Sequence, residues 1–414
     1  MNMSTEVRRI IIVGAGQGGY QVAACLRHEG YVGEVTLVGD EPGLPYQRPP
    51  LSKAYLQGEI GAEMLSLRPQ KWFTEQGVSL RAGRAASIER CQKELVLADG
   101  ARLPYDRLVL ATGARNRPLP VEGADCFNVK GIRTLADADA LMPLLKVASR
   151  VTVIGAGFIG LEFAAVAAKL GLGVDVIEQA ARPMARAVSR SLAAHVQKAH
   201  EASGTRFHFG AGVRRIEGEC GRATSVVVSS GERIATDLVV VGIGVLPNAE
   251  LAAQAGLEVA DGICVDGLMT TTDPAISAIG DSVSFPCVQA EGQRLRLESV
   301  QNAVDQARTV ALALVGRPMR YSALPWFWSD QGDLKIQIAG LSSGHDRTVD
   351  LPCDDARQRV VLCFREGKFV AVETLNRSVD HVVARKLLAR DSGLTADQAG
   401  AAEFSLKAYE VATR

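Results

Sequence analysis

An α/β fold, with two Rossmann-like dinucleotide-binding domains and a C-terminal α+β domain, is predicted by three observations. A turn of the form G-x-G-x-x-G occurs twice, at residues 14–19 and 155–160. Each copy follows an apolar run and opens a helical pattern that leads to a second strand and an acid. Beyond residue 324 the pattern changes to strands joined by a hairpin signal. One such turn alone is a weak sign. A strand before it, a helix after it and a well-spaced acid make it specific, and a second copy strengthens it further.

The elements follow in order. Ile10-Ile11-Ile12-Val13 is the continuous apolar run of a strand buried on both faces. Gly14-Ala15-Gly16-Gln17-Gly18-Gly19 then opens a helix with Val22, Cys25 and Leu26 on one face. Gly30 and Gly33 end it, residues 34–38 form the next strand, and Asp40 and Glu41 follow. The early glycines let backbone approach a pyrophosphate, and the last permits close helix–strand packing. The helix N-terminus offers unpaired N–H groups to the phosphates, and the acid accepts from a ribose. Residues 108–110 read as a strand ending in the small turn Ala111-Thr112-Gly113. Val151-Thr152-Val153-Ile154, the turn bearing Gly155, Gly157 and Gly160, a helix from Leu161 to about Leu170, and a strand ending at Glu178 repeat the grammar. Ala278-Ile279-Gly280-Asp281 is a short strand ending in an acid, which by itself reads as a turn Asp capping the next segment and, at the end of a parallel strand, would also be placed to bond a ribityl hydroxyl or a phosphate-bound water. Residues 358–364 and 368–372 flank an Arg365-Glu366-Gly367 turn, which predicts a hairpin.

Bulk properties exclude several classes. A chain of 414 residues is too long for one ordinary domain. Lys+Arg and Asp+Glu both total 46, so no whole-molecule field favours nucleic acid or an anionic membrane. The N-terminal stretch lacks the apolar segment and cleavage site of a signal peptide. No uninterrupted apolar run approaches the ~20 residues that cross a bilayer. A cytoplasmic protein with neither nucleic-acid nor membrane partners is expected, with a monomer the favoured state. The eight cysteines form no C-x-x-C pair, and the six histidines are dispersed, so no disulfide framework or metal site is assigned.

The order of these motifs resembles the flavoprotein disulfide reductase superfamily, whose glutathione reductase-like fold carries two dinucleotide-binding domains. Within it, Leu44-Pro45-Tyr46-Gln47-Arg48-Pro49-Pro50-Leu51-Ser52-Lys53 and Pro325-Trp326-Phe327-Trp328-Ser329-Asp330-Gln331 look like hallmarks of one branch. That branch holds the NADH-dependent ferredoxin reductases of bacterial cytochrome P450 and Rieske dioxygenase systems, of the putidaredoxin reductase type. The resemblance implies a discontinuous FAD-binding domain at 1–118 and 246–323, an NADH-binding domain at 119–245 and the C-terminal domain at 324–414. It implies one non-covalent FAD, NADH as electron donor, and a [2Fe–2S] ferredoxin as acceptor, serving a P450 or Rieske oxygenase.

The resemblance also implies roles for individual residues. Lys53 would lie near flavin N5, paired with Glu162, which contacts the nicotinamide carboxamide. Flavin contacts map onto Gly14, Gly16, Gly18, Gly19, Asp40, Arg48, Ala111, Thr112, Gly113, Arg133, Asp281, Val300 and Trp328. Gly155, Gly157, Gly160, Glu178 and Gly244 would hold NADH. Glu178 favours NADH on physical grounds, since a carboxylate bonds a 2′-hydroxyl but repels a 2′-phosphate. Trp326 and Trp328 would lie close to the docked ferredoxin, with Arg296, Arg308 and Lys335 as candidate cations. Related enzymes discharge through cysteines, but no cysteine lies between Val38 and Ala62, and Cys25 reads as a small core residue. Single-electron transfer is then the consistent exit. Two alternatives stay open: a reductase of rubredoxin or another acceptor, and an NADH-sensing flavoprotein of the apoptosis-inducing-factor type.

Overall fold

The computed structural model describes residues 7–414; the first six, where the N-terminal stretch read for a signal peptide begins, lie outside the described residues. The chain divides into two compact units. The first comprises the described part of Met1–Gln47 with Ala62–Arg115 and Leu246–Ala323. The second comprises Arg48–Gly61, Asn116–Val245 and Leu324–Arg414.

The first unit is built on a parallel five-stranded sheet. Its order is Ile276–Ala278, Arg107–Leu110, Arg9–Val13, Glu34–Gly39, Val78–Ala82. Ile10, Ile11, Ile12 and Val13 are all buried, as a central strand covered on both faces requires. The helix Gln17–His28 packs its buried Tyr20, Val22, Ala23 and Leu26 inward and lies against the helix Val300–Leu314. Cys25 is half-buried, with its Sγ accepting from Gln21.

The second unit contains another parallel sheet and an antiparallel one. The parallel sheet runs Thr205–Phe209, Gly173–Glu178, Arg150–Ile154, Leu238–Val241, Val129–Lys130. Its helix, Phe158–Lys169, begins three residues earlier than the sequence pattern suggests, because it starts directly after the Gly157 turn. The antiparallel sheet runs Trp326–Gln331, Leu334–Gly340, Lys368–Leu375, Arg359–Arg365, Arg347–Asp350. The predicted hairpin is present with a shorter turn. Arg365 pairs with Lys368, leaving Glu366 at φ +50° and Gly367 at φ +76° as a two-residue connection. Two successive positive φ values match the twist of the flanking strands. Among the described residues no helix is long and apolar enough to cross a membrane.

Candidate functional site

In the first unit the turn glycines are set by close contacts. Gly14 lies at φ +109°, and a Cβ there would stand 2.1 Å from the carbonyl oxygen of Ala111. A Cβ on Gly19 would stand 1.9 Å from the carbonyl oxygen of Gly14. Gly16 differs, because a Cβ would meet nothing within 4 Å. It is the N-cap of Gln17–His28 and makes no side-chain capping hydrogen bond to the first turn. The second unit repeats this arrangement. Gly155 abuts the carbonyl of Gly242, and Gly160 abuts that of Gly155. Gly157 is the uncapped N-cap of Phe158–Lys169, and its Cβ would find its nearest neighbour at 3.9 Å. Elsewhere Thr134, Ser189 and Ser299 cap their helices with hydroxyls. Bare N–H groups, a positive helix end and room in place of a side chain suit a diphosphate in each unit.

The remaining first-unit candidates gather around the same turn. Thr112 donates its hydroxyl to the Asn248 carbonyl at 2.6 Å, and Asn248 Nδ2 donates to the Thr112 carbonyl at 2.9 Å. The Gly113 carbonyl accepts from the Asn248 N–H, so one side chain and its backbone staple the small-residue turn. Asp40 is exposed just beyond Glu34–Gly39, whereas Glu41 accepts the Tyr46 hydroxyl. Asp281 sits in the 3₁₀ turn Gly280–Ser282, which Gln306 braces by accepting from Gly280 N at 2.7 Å. Gln306 is fully buried, and among the described residues its Nε2 has no acceptor, a polar atom left for a ligand or water. Val300 opens the helix capped by Ser299. Gly18 faces Ile279 and Ala303, where a Cβ would come within 3.2 Å of Ile279 Cδ1.

In the second unit Glu178 closes its own loop. Its carboxylate accepts from Ala156 N and Ala180 N, each at 2.8 Å. Gly244, at φ +96°, has open space around a Cβ. Arg48 donates to the Arg133 carbonyl at 2.8 Å, and Asp137 accepts from the N–H groups of Arg133 and Thr134.

The strongest polar cluster lies one turn into the helix Phe158–Lys169. Glu162 is 4% exposed and pairs with Lys53 at 3.1 Å. Its carboxylate also accepts from the Ser52 hydroxyl at 2.6 Å and the Ser329 hydroxyl at 2.7 Å. Lys53 reaches Asp330 at 3.3 Å as well. Burial pushes the Glu162 carboxyl upward, against the pull of the Lys53 ammonium and the two hydroxyls. The pairing of Lys53 with Glu162 is thus present in the fold. The sequence motifs that contain Ser52, Ser329 and Asp330 assign them no individual role, and Asn248 lies in no motif. The signal for Ser329 is a polar residue on the strand face opposite the two tryptophans.

Residues 8–307 match the pyridine nucleotide-disulphide oxidoreductase family, and residues 326–410 match the reductase C-terminal domain. The chain belongs to the pyridine nucleotide-disulphide oxidoreductases. Rhodocoxin reductase of Rhodococcus erythropolis is 46% identical over 399 residues, covering 96% of this chain and 93% of that protein. The ferredoxin reductase of the CYP199A2 system from Rhodopseudomonas palustris superposes with a TM-score of 0.95 at 46% identity, covering 98% and 100% of the two chains. The reductase in the covalent putidaredoxin reductase–putidaredoxin complex gives 0.94 at 37% identity, covering 98% and 99%.

In this oxidoreductase Trp326 and Trp328 share one strand face, with ring centroids 5.5 Å apart. The Arg385 guanidinium lies 4.5 Å from the Trp326 ring centre. Both indoles are half-buried. Of the three candidate docking cations, Arg308 and Lys335 are exposed. Arg296 is not free for docking: its side chain is 12% exposed and paired with Asp261 and Glu298.

Proposed function

We propose that this chain carries electrons from NADH, through bound FAD, singly to a [2Fe–2S] ferredoxin that serves a cytochrome P450 or Rieske-type oxygenase. FAD would supply the chemistry that accepts a hydride and releases electrons one at a time. The residues fit that cofactor and NADH on the uncapped glycine turns described above, one in each unit. The observation that carries the reading is the pair of half-buried Lys53 with buried Glu162 beside the second of those turns.

Each residue has a positioning task. Gly14, Gly16, Gly18, Gly19, Ala111, Thr112 and Gly113 would cradle FAD, with Asp40 and Asp281 accepting from its hydroxyls and Val300 presenting a helix N-terminus. Arg48, Arg133 and Trp328 complete the proposed flavin contacts. Gly155, Gly157, Gly160 and Gly244 would admit the NADH diphosphate and Glu178 its adenosine ribose. Glu162 orients the nicotinamide carboxamide and holds Lys53, whose ammonium stabilises negative charge as it develops. Hydride transfer requires this positioning more than proton abstraction. The three-domain division is part of the same proposal. So is a cytoplasmic location, which eight free cysteines suit.

Anaerobic mixing with NADH, followed by addition of a [2Fe–2S] ferredoxin, tests the reading. Flavin bleaching and then rapid ferredoxin reduction are expected in the two absorbance bands. Bleaching without ferredoxin reduction would send the search to another acceptor. A protein that cannot take up FAD would refute the proposal outright.

A further inference from the structure

Behind the Lys53–Glu162 pair runs a chain of buried polar groups. His200, on the helix Arg190–Ala202, places Nε2 at 2.9 Å from Gln331 Oε1. Gln331 Nε2 donates to Ser329 Oγ at 3.3 Å, and Ser329 donates to Glu162 Oε1 at 2.7 Å. All four side chains are buried, between 0% and 4% exposed. Phe207 covers His200 edge-on, and Met184 lies beside Gln331. The charged groups at the far end are Lys53 and the Asp330 that shares it.

The proton positions in this chain are not independent. Ionised Glu162 can only accept, so the single Ser329 proton points to it. Ser329 Oγ must then accept from Gln331, which requires the amide nitrogen on that side and the amide oxygen toward His200. Among the described residues the group facing that oxygen is His200 Nε2, which must then carry the N–H. Burial lowers the His200 pKa, which keeps the ring neutral with one such proton. The reverse amide orientation would draw the Ser329 proton away and leave two oxygen lone-pair sets facing each other at 2.7 Å. Every donor along the chain therefore points toward Glu162.

We infer that His200 and Gln331 are positioning residues: through Ser329 they fix the hydroxyl that holds Glu162 as an anion against Lys53. The inference deepens the proposed reaction and rests on that pair serving NADH oxidation. Neither residue touches the pair directly. Their effect reaches it by fixing the direction of one hydrogen bond, which in a buried, low-dielectric site bears strongly on a carboxylate.

The test is infrared pH-difference spectroscopy on the full FAD-loaded protein, following the carboxylic C=O band that Glu162→Gln abolishes. Its midpoint should rise by about one pH unit, a tenfold change in protonated fraction, in His200→Phe and in Gln331→Leu. His200→Gln, which restores an N–H at similar reach, should return it to the unmodified value. The acid limb of flavin reduction by NADH should move by the same amount in each variant. Ser329→Ala, a loss of one oxygen, should move the midpoint at least as far, and the near-isosteric Gln331→Met, which removes only the amide hydrogen bonds to Ser329 and His200, decides the matter if a larger change prevents folding. Unchanged midpoints, or a shift that His200→Gln does not reverse, overturn the inference. Midpoints that move while NADH fails to reduce the unmodified flavin would leave the positioning role standing and remove the hydride reading instead.

Discussion

At Glu162 burial and pairing act in opposite directions. Desolvation favours the neutral acid, while Lys53 and two hydroxyls favour the anion, and burial prevails in setting the direction of the shift. Because the ionised form is the one that holds Lys53, flavin reduction by NADH should be complete above this raised pKa and fall as pH drops through it. Glu162→Gln keeps the shape but removes the charge and one of the two oxygens that accept from Ser52 and Ser329. It should slow flavin reduction on the order of 10²-fold and flatten the acid limb, read by anaerobic stopped flow at several pH values. A variant with an unchanged acid limb would assign that limb to another group. Glu178 invites a second substitution, since its two backbone hydrogen bonds fix the carboxylate at the loop. Glu178→Ala should narrow the preference for NADH over NADPH by roughly tenfold in kcat/KM, the scale of one hydrogen bond to a charge. An unaltered ratio would move the discrimination elsewhere. Lys53 and Glu162 could each be read from a local motif. Ser52 and Ser329 could not, because a hydroxyl acquires meaning only when folding brings residues 52, 162 and 329 onto one carboxylate.

Elements with strong local periodicity were legible, and those whose ends depend on a turn were less so. The helix Phe158–Lys169 starts at the fingerprint turn, ahead of the expected Leu161, because Gly157 ends the extended backbone. The helix Ser378–Ala389 contributes a feature no periodicity reveals. His381 is 1% exposed on its inner face, and among the described residues neither ring nitrogen has a hydrogen-bond partner. Burial, aided by Arg385, pulls its pKa down to about 4. The unfolded chain therefore binds a proton near pH 6.5 that the folded helix resists. Stability from this residue is fully present above pH 6.5 and is lost as pH falls toward about 4. Over that window the loss amounts to about 3 kcal/mol. His381→Phe forfeits no hydrogen bond and should remove that loss, so urea unfolding at pH 7 and pH 4 should differ less in the variant. Equal losses in both proteins would show that His381 is not the group responsible.

For the molecule as a whole, the two parallel sheets could be seen in the sequence because each repeats one local grammar. The interleaving of six chain segments into two compact units could not, since the excursion of Arg48–Gly61 depends on contacts that cross sequence. Charge is the other whole-molecule property, and its exact balance of 46 cations and 46 anions leaves no long-range attraction. Any pull on an acidic ferredoxin must come from local cations such as exposed Arg308 and Lys335. Such short-range attraction weakens as the screening length shrinks from ~10 Å at 0.1 M salt to ~3 Å at 1 M. Ferredoxin reduction by the preformed reduced flavin should therefore slow several-fold across that range. Flavin reduction by NADH, governed by the short-range pairing of Lys53 with buried Glu162, should change less than about twofold. Stopped-flow measurement of the two steps at matched salt separates them. If both slow together, salt acts on the protein as a whole and the account by individual exposed cations fails; if neither slows, ferredoxin docking is apolar, and the half-buried Trp326–Trp328 face becomes its principal contact.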